Sequence, residues 1–395
     1  MTRVLVVGGG IGGLAAALAV ARGGCAVQLL EKSAAFTEVG AGIQIGPNVT
    51  RVLRNWGLQQ GLDRVAAYPE QLEVRSAGTG GRLGGLCLGD AMVQRYGAPY
   101  ATLHRADLHR LLLDAVAQQP AAQLQLACAV KGLVQTPAKV ILKTGAGLAV
   151  EGDALVGADG VWSTVRELLL NDGAPRTTGH LAYRALVPQA SLPERLRSKN
   201  VTVWLGPRMH VVQYPVRGGD WLNIVAIVHG QVADQLQNWD HSAHGADLAA
   251  SMASSCFALQ ELVQAVPAWR LWVLHDRAPL QGAAQHAAGR VALLGDAAHP
   301  MRPYLAQGAG MAIEDAAELG ALLGAATLSN VPAALQQYAA NRWQRNARVQ
   351  ARALRNGNIF HAQGPMRWGR DVAMKLLGER LLDMPWLYGF SPKTV

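Results

Sequence analysis

The chain has 395 residues, half of them apolar and only 16% charged, which excludes a disordered or low-complexity protein. Lysines and arginines number 36 against 27 aspartates and glutamates, a net charge of +9 that suits nucleic acid, an anionic membrane or an acidic substrate and selects none of them. Cys25, Cys87, Cys128 and Cys256 stand far apart with no C-x-x-C pair. Neither a metal site nor a disulfide-stapled fold is expected, and a reducing cytoplasm is. Glycines interrupt the apolar N-terminal stretch, and no apolar run reaches the ~18–20 residues of a membrane helix, so a soluble protein with no membrane partner is expected.

In chain order, residues 4–7 form a continuous apolar run, predicted as a strand buried on both faces. Gly8-x-Gly10-x-x-Gly13 follows, then a predicted helix over 12–22 and a second strand over 26–30 that ends at Glu31 and Lys32. Strand, glycine turn, helix, strand and acid are the opening of a dinucleotide-binding unit. The tight turn, the approach of backbone to a diphosphate and close helix packing each need a residue without Cβ, which assigns Gly8, Gly10, Gly12 and Gly13. The helix start offers unpaired N–H groups to the phosphates, and Glu31 stands where a carboxylate binds ribose hydroxyls. This fingerprint alone leaves NAD and FAD both open.

Residues 47–62 read as helical, and 70–100 as short alternating strands with glycine turns. A strongly amphipathic helix is predicted over 107–118, with Asp107 as its N-cap, and strands return at 139–143 and 154–157. Residues 180–230 are strand-rich with very short turns, so those strands must be antiparallel. A buried strand is expected at 293–295 and helices thereafter. The pattern implies an α/β nucleotide-binding domain (1–70, 101–175 and 276–330), an antiparallel-sheet domain (71–100 and 176–275) and a C-terminal helical segment (331–395).

Two further segments carry a resemblance. Ala158-Asp159-Gly160-Val161-Trp162-Ser163-Thr164-Val165-Arg166 resembles the Asp-Gly segment of the class A flavoprotein hydroxylases. Gly295-Asp296-Ala297-Ala298-His299-Pro300, leading into Gln307-Gly308-Ala309-Gly310, resembles their second FAD motif. All three segments occur in that family's order and spacing. The ending Trp386-Leu387-Tyr388-Gly389-Phe390 resembles the branch of salicylate and 3-hydroxybenzoate hydroxylases. The resemblance implies a glutathione-reductase-type FAD domain interrupted by a substrate-binding sheet. It implies NADH or NADPH as a transient cosubstrate, consistent with the absence of a second glycine fingerprint. Oxygen would be inserted through a flavin C4a-hydroperoxide into a small hydroxylated aromatic acid, or a pyridine analogue such as a hydroxynicotinate. A reductase or oxidase that inserts no oxygen, and a flavin-binding sensor, are the rival readings.

The resemblance also distributes roles. Arg105 would meet the flavin and its phosphates, or form a surface ion pair. Asp159 and Arg166 would support the diphosphate region and nicotinamide docking, or hold one another. Asp296 would bind ribityl hydroxyls, or serve as an ordinary helix N-cap, with Gly308 and Ala309 presenting helix amides to the reduced flavin. Gln44, after Gly40-Ala41-Gly42, would run beside the isoalloxazine, and the Val130 backbone would meet adenine. His299 would approach the flavin through its backbone.

On the strand over 209–216, His210, Val212 and Tyr214 share one face because side chains alternate. A His and a Tyr there suit removal of a phenol proton, which makes the ring electron-rich; a structural pair within the sheet is the alternative. Arg184 is either a carboxylate clamp or an interdomain arginine, and Tyr304 helps set which ring position reacts. Arg342, Arg345, Arg348, Arg352 and Arg355 recur at helical spacing and read as a solvated or ion-paired face rather than a nucleic-acid surface. A monomer or homodimer is expected.

Overall fold

The computed structural model describes residues 1–36, 41–230, 241–243 and 245–392. The opening strand, Arg3–Val7, divides its side chains between two cores. Val4 and Val6 pack with the helix Ile11–Arg22, while Leu5 and Val7 pack with Val140 and Leu142. Only a strand inside a sheet covered on both faces can do this. Ala26–Leu30 and Ala154–Gly157 flank it, both parallel, and Ala122–Gln125 and Val291–Leu293 extend the sheet outward. The short antiparallel strand Ala287–Ala288 brings the total to six. Helices Ile11–Arg22 and Gly308–Gly324 cover one face, so close together that a Cβ on Gly320 would lie 2.6 Å from the Ala19 carbonyl oxygen. An antiparallel sheet of Val130–Gln135, Val140–Thr144 and Ala149–Gly152 covers the other.

A second sheet, of eight strands, is assembled from two separate stretches of chain. Gln71–Ser76 and Arg82–Cys87 come from the first; Arg176–Pro188, Val201–Gly206, Met209–Val216, Trp221–His229, His241–Ala243 and Trp269–Asp276 come from the second. The consecutive strands of the 201–229 region pair antiparallel, as their short turns require. One face packs Val211, Ile224 and Ala226 against Leu259 and Leu262 of the helix Phe257–Gln264. Facing the other way, Ala182, Ile227 and Trp272 meet Tyr304 and Phe360, the latter on the long helix Val331–Phe360. This face looks toward the site. Near one end of Arg176–Pro188 the register shifts between Thr177 and Leu181, with Gly179 at φ +72°, a bulge that precedes His180.

Five expectations need correction. The strand expected at 293–295 is Val291–Leu293, and Gly295–Ala297 form a tight turn that Gly295 enters at φ +61°. The helix expected over 47–62 is two, Pro47–Asn55 and Gln59–Val65, separated at Gly57, whose φ of +74° no helix continues through. Residues 89–96 are helical, not strand, and stop at Gly97 in the left-handed conformation that commonly ends helices. The amphipathic helix is Arg105–Ala117, so His104 holds the N-cap position; Asp107 lies inside the first turn and pairs with Arg217 at 3.0 Å. Asp159 and Arg166 do not pair with each other, because each is drawn to partners elsewhere. The arginine series on Val331–Phe360 is ion-paired and turned inward at its start. Arg342 is fully buried on Glu314 and Asp315, and Arg345 also reaches Glu314. Gly40 and residues 393–395 fall outside the described residues. Among those described, no helix is long and apolar enough to cross a membrane.

Candidate active site

The glycine turn is shaped by contacts that exclude side chains. Gly8 adopts φ +108°, where a Cβ would come 2.4 Å from the Ala158 carbonyl oxygen, and a Cβ on Gly13 would come 1.8 Å from the Gly8 oxygen. Gly12 lies against Leu294 and Ala312. Gly10 differs from all three, because a Cβ built there meets nothing within 4 Å. The helix that begins beside it has no side-chain cap, so its first N–H groups have no side-chain acceptor at the cap. Glu31 is held at the lip: one carboxylate oxygen accepts the Gly9 N–H at 2.6 Å and the other the Ser33 N–H at 2.8 Å. Lys32 is exposed next to it, and Val130 is buried at the head of the three-stranded sheet. An open glycine floor, an uncapped helix start and an anchored carboxylate fit the diphosphate and a ribose of FAD.

Asp159 accepts the Ser163 hydroxyl and, at 3.1 Å, the Val165 N–H, so it organises the start of the helix Thr164–Leu170. Burial raises its pKa and these hydrogen bonds oppose the rise. Arg166 points elsewhere, to Asp172 at 2.5 Å and to the carbonyls of Ala297 and Ala298 at 3.2 and 3.0 Å. It therefore ties the Asp-Gly segment to the Gly295–Ala297 turn. Asp296 in that turn opens onto a crevice, while the surrounding walls raise its pKa against the pull of Arg105 and His299. Gly308 lies across the crevice, a Cβ there standing 3.8 Å from the Asp296 carboxylate. Ala309 follows in the first turn of a helix that again has no side-chain cap.

His299 turns its imidazole away from the crevice and onto Asp315, at 2.5 Å. Burial alone would raise the Asp315 pKa, but His299 and Arg342 hold it far below the usual carboxylate range. The imidazole is thus a structural partner of Asp315.

Between the site-facing sheet, residues 303–306 and the C-terminal helices lies a cavity of about 600 Å³. Gln44, His210, Val212, Tyr304, Arg352 and Phe360 contribute to its wall. Gln44 accepts the Tyr100 hydroxyl at 2.8 Å from the strand Gly42–Ile45. The Tyr304 hydroxyl and the Arg352 Nε are buried and have no hydrogen-bond partner among the described residues. Tyr214 sits one step further along the sheet, packed under Gly42, where a Cβ would meet its ring at 2.7 Å. Burial pushes its phenol pKa up, with Arg184 and Gln44 opposing. Arg184 stacks its guanidinium 4.8 Å over the Trp272 ring, and burial lowers its pKa to about 10. It stands apart from the cavity wall.

His210 is 1% exposed, and burial pulls its pKa down to about 3, so the ring is neutral. Its Nδ1 is 2.8 Å from His361 Nε2, and His361 Nδ1 is 2.8 Å from His229 Nε2. Desolvation lowers His361 and half-buried His229 as well. No motif in the sequence flags His180, His229 or His361, and Arg352 is visible there only as one of a helically spaced arginine series. They come from two different strands, a helix end and a helix face. The one usable signal is alternation, which puts His229 on the same face as Ile227.

A family model described as an FAD binding domain matches residues 1–353. The 3-hydroxybenzoate 6-hydroxylase of Polaromonas naphthalenivorans is 38% identical over 98% of this chain and 96% of its own. The 6-hydroxynicotinate 3-monooxygenase of Bordetella bronchiseptica is 38% identical over 88% of this chain and 89% of its own. A salicylate hydroxylase in complex with substrate superposes with a TM-score of 0.84 at 28% identity, covering 99% of this chain and 96% of that one.

Proposed function

The chain belongs to the FAD-dependent aromatic hydroxylases, and from that premise we propose that it hydroxylates a small hydroxylated aromatic acid whose ring hydroxyl is deprotonated by His210. It is a flavoprotein monooxygenase that uses FAD, a nicotinamide donor and O2. When bound, FAD supplies the chemistry of hydride acceptance and oxygen insertion, while the protein positions the ring and excludes water.

In this reading Gly8, Gly10, Gly12 and Gly13 receive the diphosphate, Glu31 and Lys32 the ribose end, and the Val130 backbone the adenine. Arg105, Asp296, Gly308, Ala309 and Gln44 line the flavin side, with Asp159 supporting them from the neighbouring turn. The substrate enters the cavity, where the unpaired Tyr304 hydroxyl and Arg352 offer a donor and a cation to a hydroxylated, carboxylate-bearing ring. Tyr214 shapes the floor beneath Gly42. Arg184, stacked on Trp272, supports the sheet against the flavin domain.

The observation that carries the proposal is the buried, neutral His210 in the cavity wall, its Nδ1 committed to His361. Burial makes a standing imidazolium unfavourable, so His210 transfers the proton without storing it. The phenol proton arrives at Nε2 as the Nδ1 proton passes to His361 Nε2. The His361 Nδ1 proton passes in turn to His229 Nε2, and half-buried His229 releases one to solvent from Nδ1. No ring needs to hold two protons for long, and one proton leaves for each that enters.

Stimulation of NADH and NADPH oxidation by 3-hydroxybenzoate, salicylate and 6-hydroxynicotinate, each with product identification, tests the substrate class. At least one hydroxylated product is expected. A panel that leaves nucleotide oxidation at its basal rate would overturn the proposal. The pyridine acid belongs in the panel because the Bordetella relative is also 38% identical, over 88% of this chain.

A further inference from the structure

Three imidazoles, two of them in the chain of hydrogen bonds that begins at His210, cluster behind it. His180, His229 and His361 each offer a ring nitrogen that lies within 4.8 Å of the other two. Their ring centroids are 4.3 Å (180 to 229), 4.9 Å (229 to 361) and 5.4 Å (180 to 361) apart, with planes inclined by 77°, 59° and 69°. Nitrogens ~2.0–2.1 Å from a tetrahedral metal put imidazole centroids about 5 Å apart, so the rings already stand near ligand spacing. His180 is 9% exposed, and its Nδ1 is buried with no hydrogen-bond partner among the described residues. Such a nitrogen is unfavourable to leave unpaired. A cation among these nitrogens satisfies all three rings together, taking the place of the hydrogen bond between His229 and His361.

We propose that His180, His229 and His361 bind one borderline divalent transition-metal ion of the Zn2+ class, with the fourth position open to water. Three nitrogen donors with no carboxylate among them select against Mg2+ and Ca2+. Arg208, Arg302 and Arg370 face the cluster and oppose a cation, while Asp276 favours one but is shared with Arg302. The site is therefore built for reversible occupancy rather than a permanent structural metal. The sequence shows no zinc motif because the ligands are scattered over positions 180, 229 and 361.

The catalytic consequence rests on the role proposed for His210. Metal on His361 Nδ1 leaves the His361 proton on Nε2, 2.8 Å from His210 Nδ1, to which it must donate. His210 then carries its own proton on Nε2 and has no lone pair for the substrate. The metal also takes the place of the hydrogen bond between His361 and His229. Occupancy therefore reverses the polarity of the relay and switches hydroxylation off.

The test is a calorimetric titration of untagged, FAD-loaded, chelator-stripped protein with Zn2+ alone and with Mg2+ alone. Retained flavin absorbance and far-ultraviolet circular dichroism check folding. One equivalent of Zn2+ and no Mg2+ should bind, and His180→Ala and His229→Gln should each weaken Zn2+ binding roughly 100-fold or more. Absent binding, or binding unchanged in both folded variants, overturns the site. In the wild-type protein Zn2+ should suppress product formation and EDTA should restore it, whereas His180→Ala should respond to neither. Stoichiometric Zn2+ binding with unaltered turnover would leave the site standing and overturn its coupling to His210.

Discussion

The nucleotide cradle and the substrate-facing sheet are built on opposite principles. The cradle is mostly backbone: a turn that tolerates no Cβ at Gly8 or Gly13, uncapped helix amides, and a carboxylate tied to a main-chain N–H. Its parts lie between Gly8 and Glu31 in the chain. The substrate side is made of side chains gathered from positions as distant as His180, His210, Tyr304, Arg352 and His361, meeting only because two strands, a turn and the long helix Val331–Phe360 come together. Backbone sites follow from local steric rules that a sequence displays openly. Side-chain sites depend on register and helix packing.

The sharpest way to break this contrast is in the cradle. Gly13→Ala should abolish flavin binding, because its Cβ would lie 1.8 Å from the Gly8 oxygen; Gly10→Ala should fold normally and lose flavin retention, because its Cβ meets only open space. The ratio of flavin to protein absorbance after gel filtration reads both, and a fully yellow Gly10→Ala would disprove the diphosphate position. On the substrate side, His210→Asn should keep flavin and lower product formation by roughly 10²–10⁴-fold, the usual worth of a positioned base. Unchanged turnover would remove His210 from the mechanism.

Between the two regions stands Arg342, buried on Glu314 and Asp315. Arg342→Met leaves buried carboxylates short of their partner and should reduce stability by about 3–5 kcal/mol in chemical denaturation. A loss under about 1 kcal/mol would show that Arg345 and His299 suffice. Acid should act on the substrate side more gradually. An unfolded His210 takes up a proton near pH 6.5, while the folded ring resists to about 3, so its folded pKa is the lower. Its stabilisation is present above pH 6.5 and declines as pH falls through the window from 6.5 to 3. His210→Asn should flatten that part of the stability–pH profile. Tyr214→Phe, beneath Gly42 and off the cavity wall, should change turnover by less than about tenfold.

Legibility in the sequence follows the same division. The first strand, its glycines and Glu31 are readable because an apolar run, a run of residues without side chains and an acid at a fixed spacing stand out in the chain, even though Gly8 packs against distant Ala158. Asp296 is reached through the family resemblance. The antiparallel strands over 201–229 are readable from their turns. Helix ends are harder. Asp107 looks like a cap by composition, yet its carboxylate is drawn to Arg217 across the fold. Arg166 is close to Asp159 in the chain, but its partners are Asp172 and the carbonyls of a distant turn. The inward turn of Arg342 depends on the carboxylates of another helix, which helical spacing alone cannot disclose. His361 lies just beyond a 30-residue helix, and only the packing of that helix brings it to His210.

Turnover under ¹⁸O-labelled dioxygen, with purified enzyme, a nicotinamide donor and the best aromatic acid of the panel, is the most direct test of the whole account. Insertion of one labelled atom into the aromatic product is predicted. Label recovered only in hydrogen peroxide or water, with the ring unaltered, would contradict it.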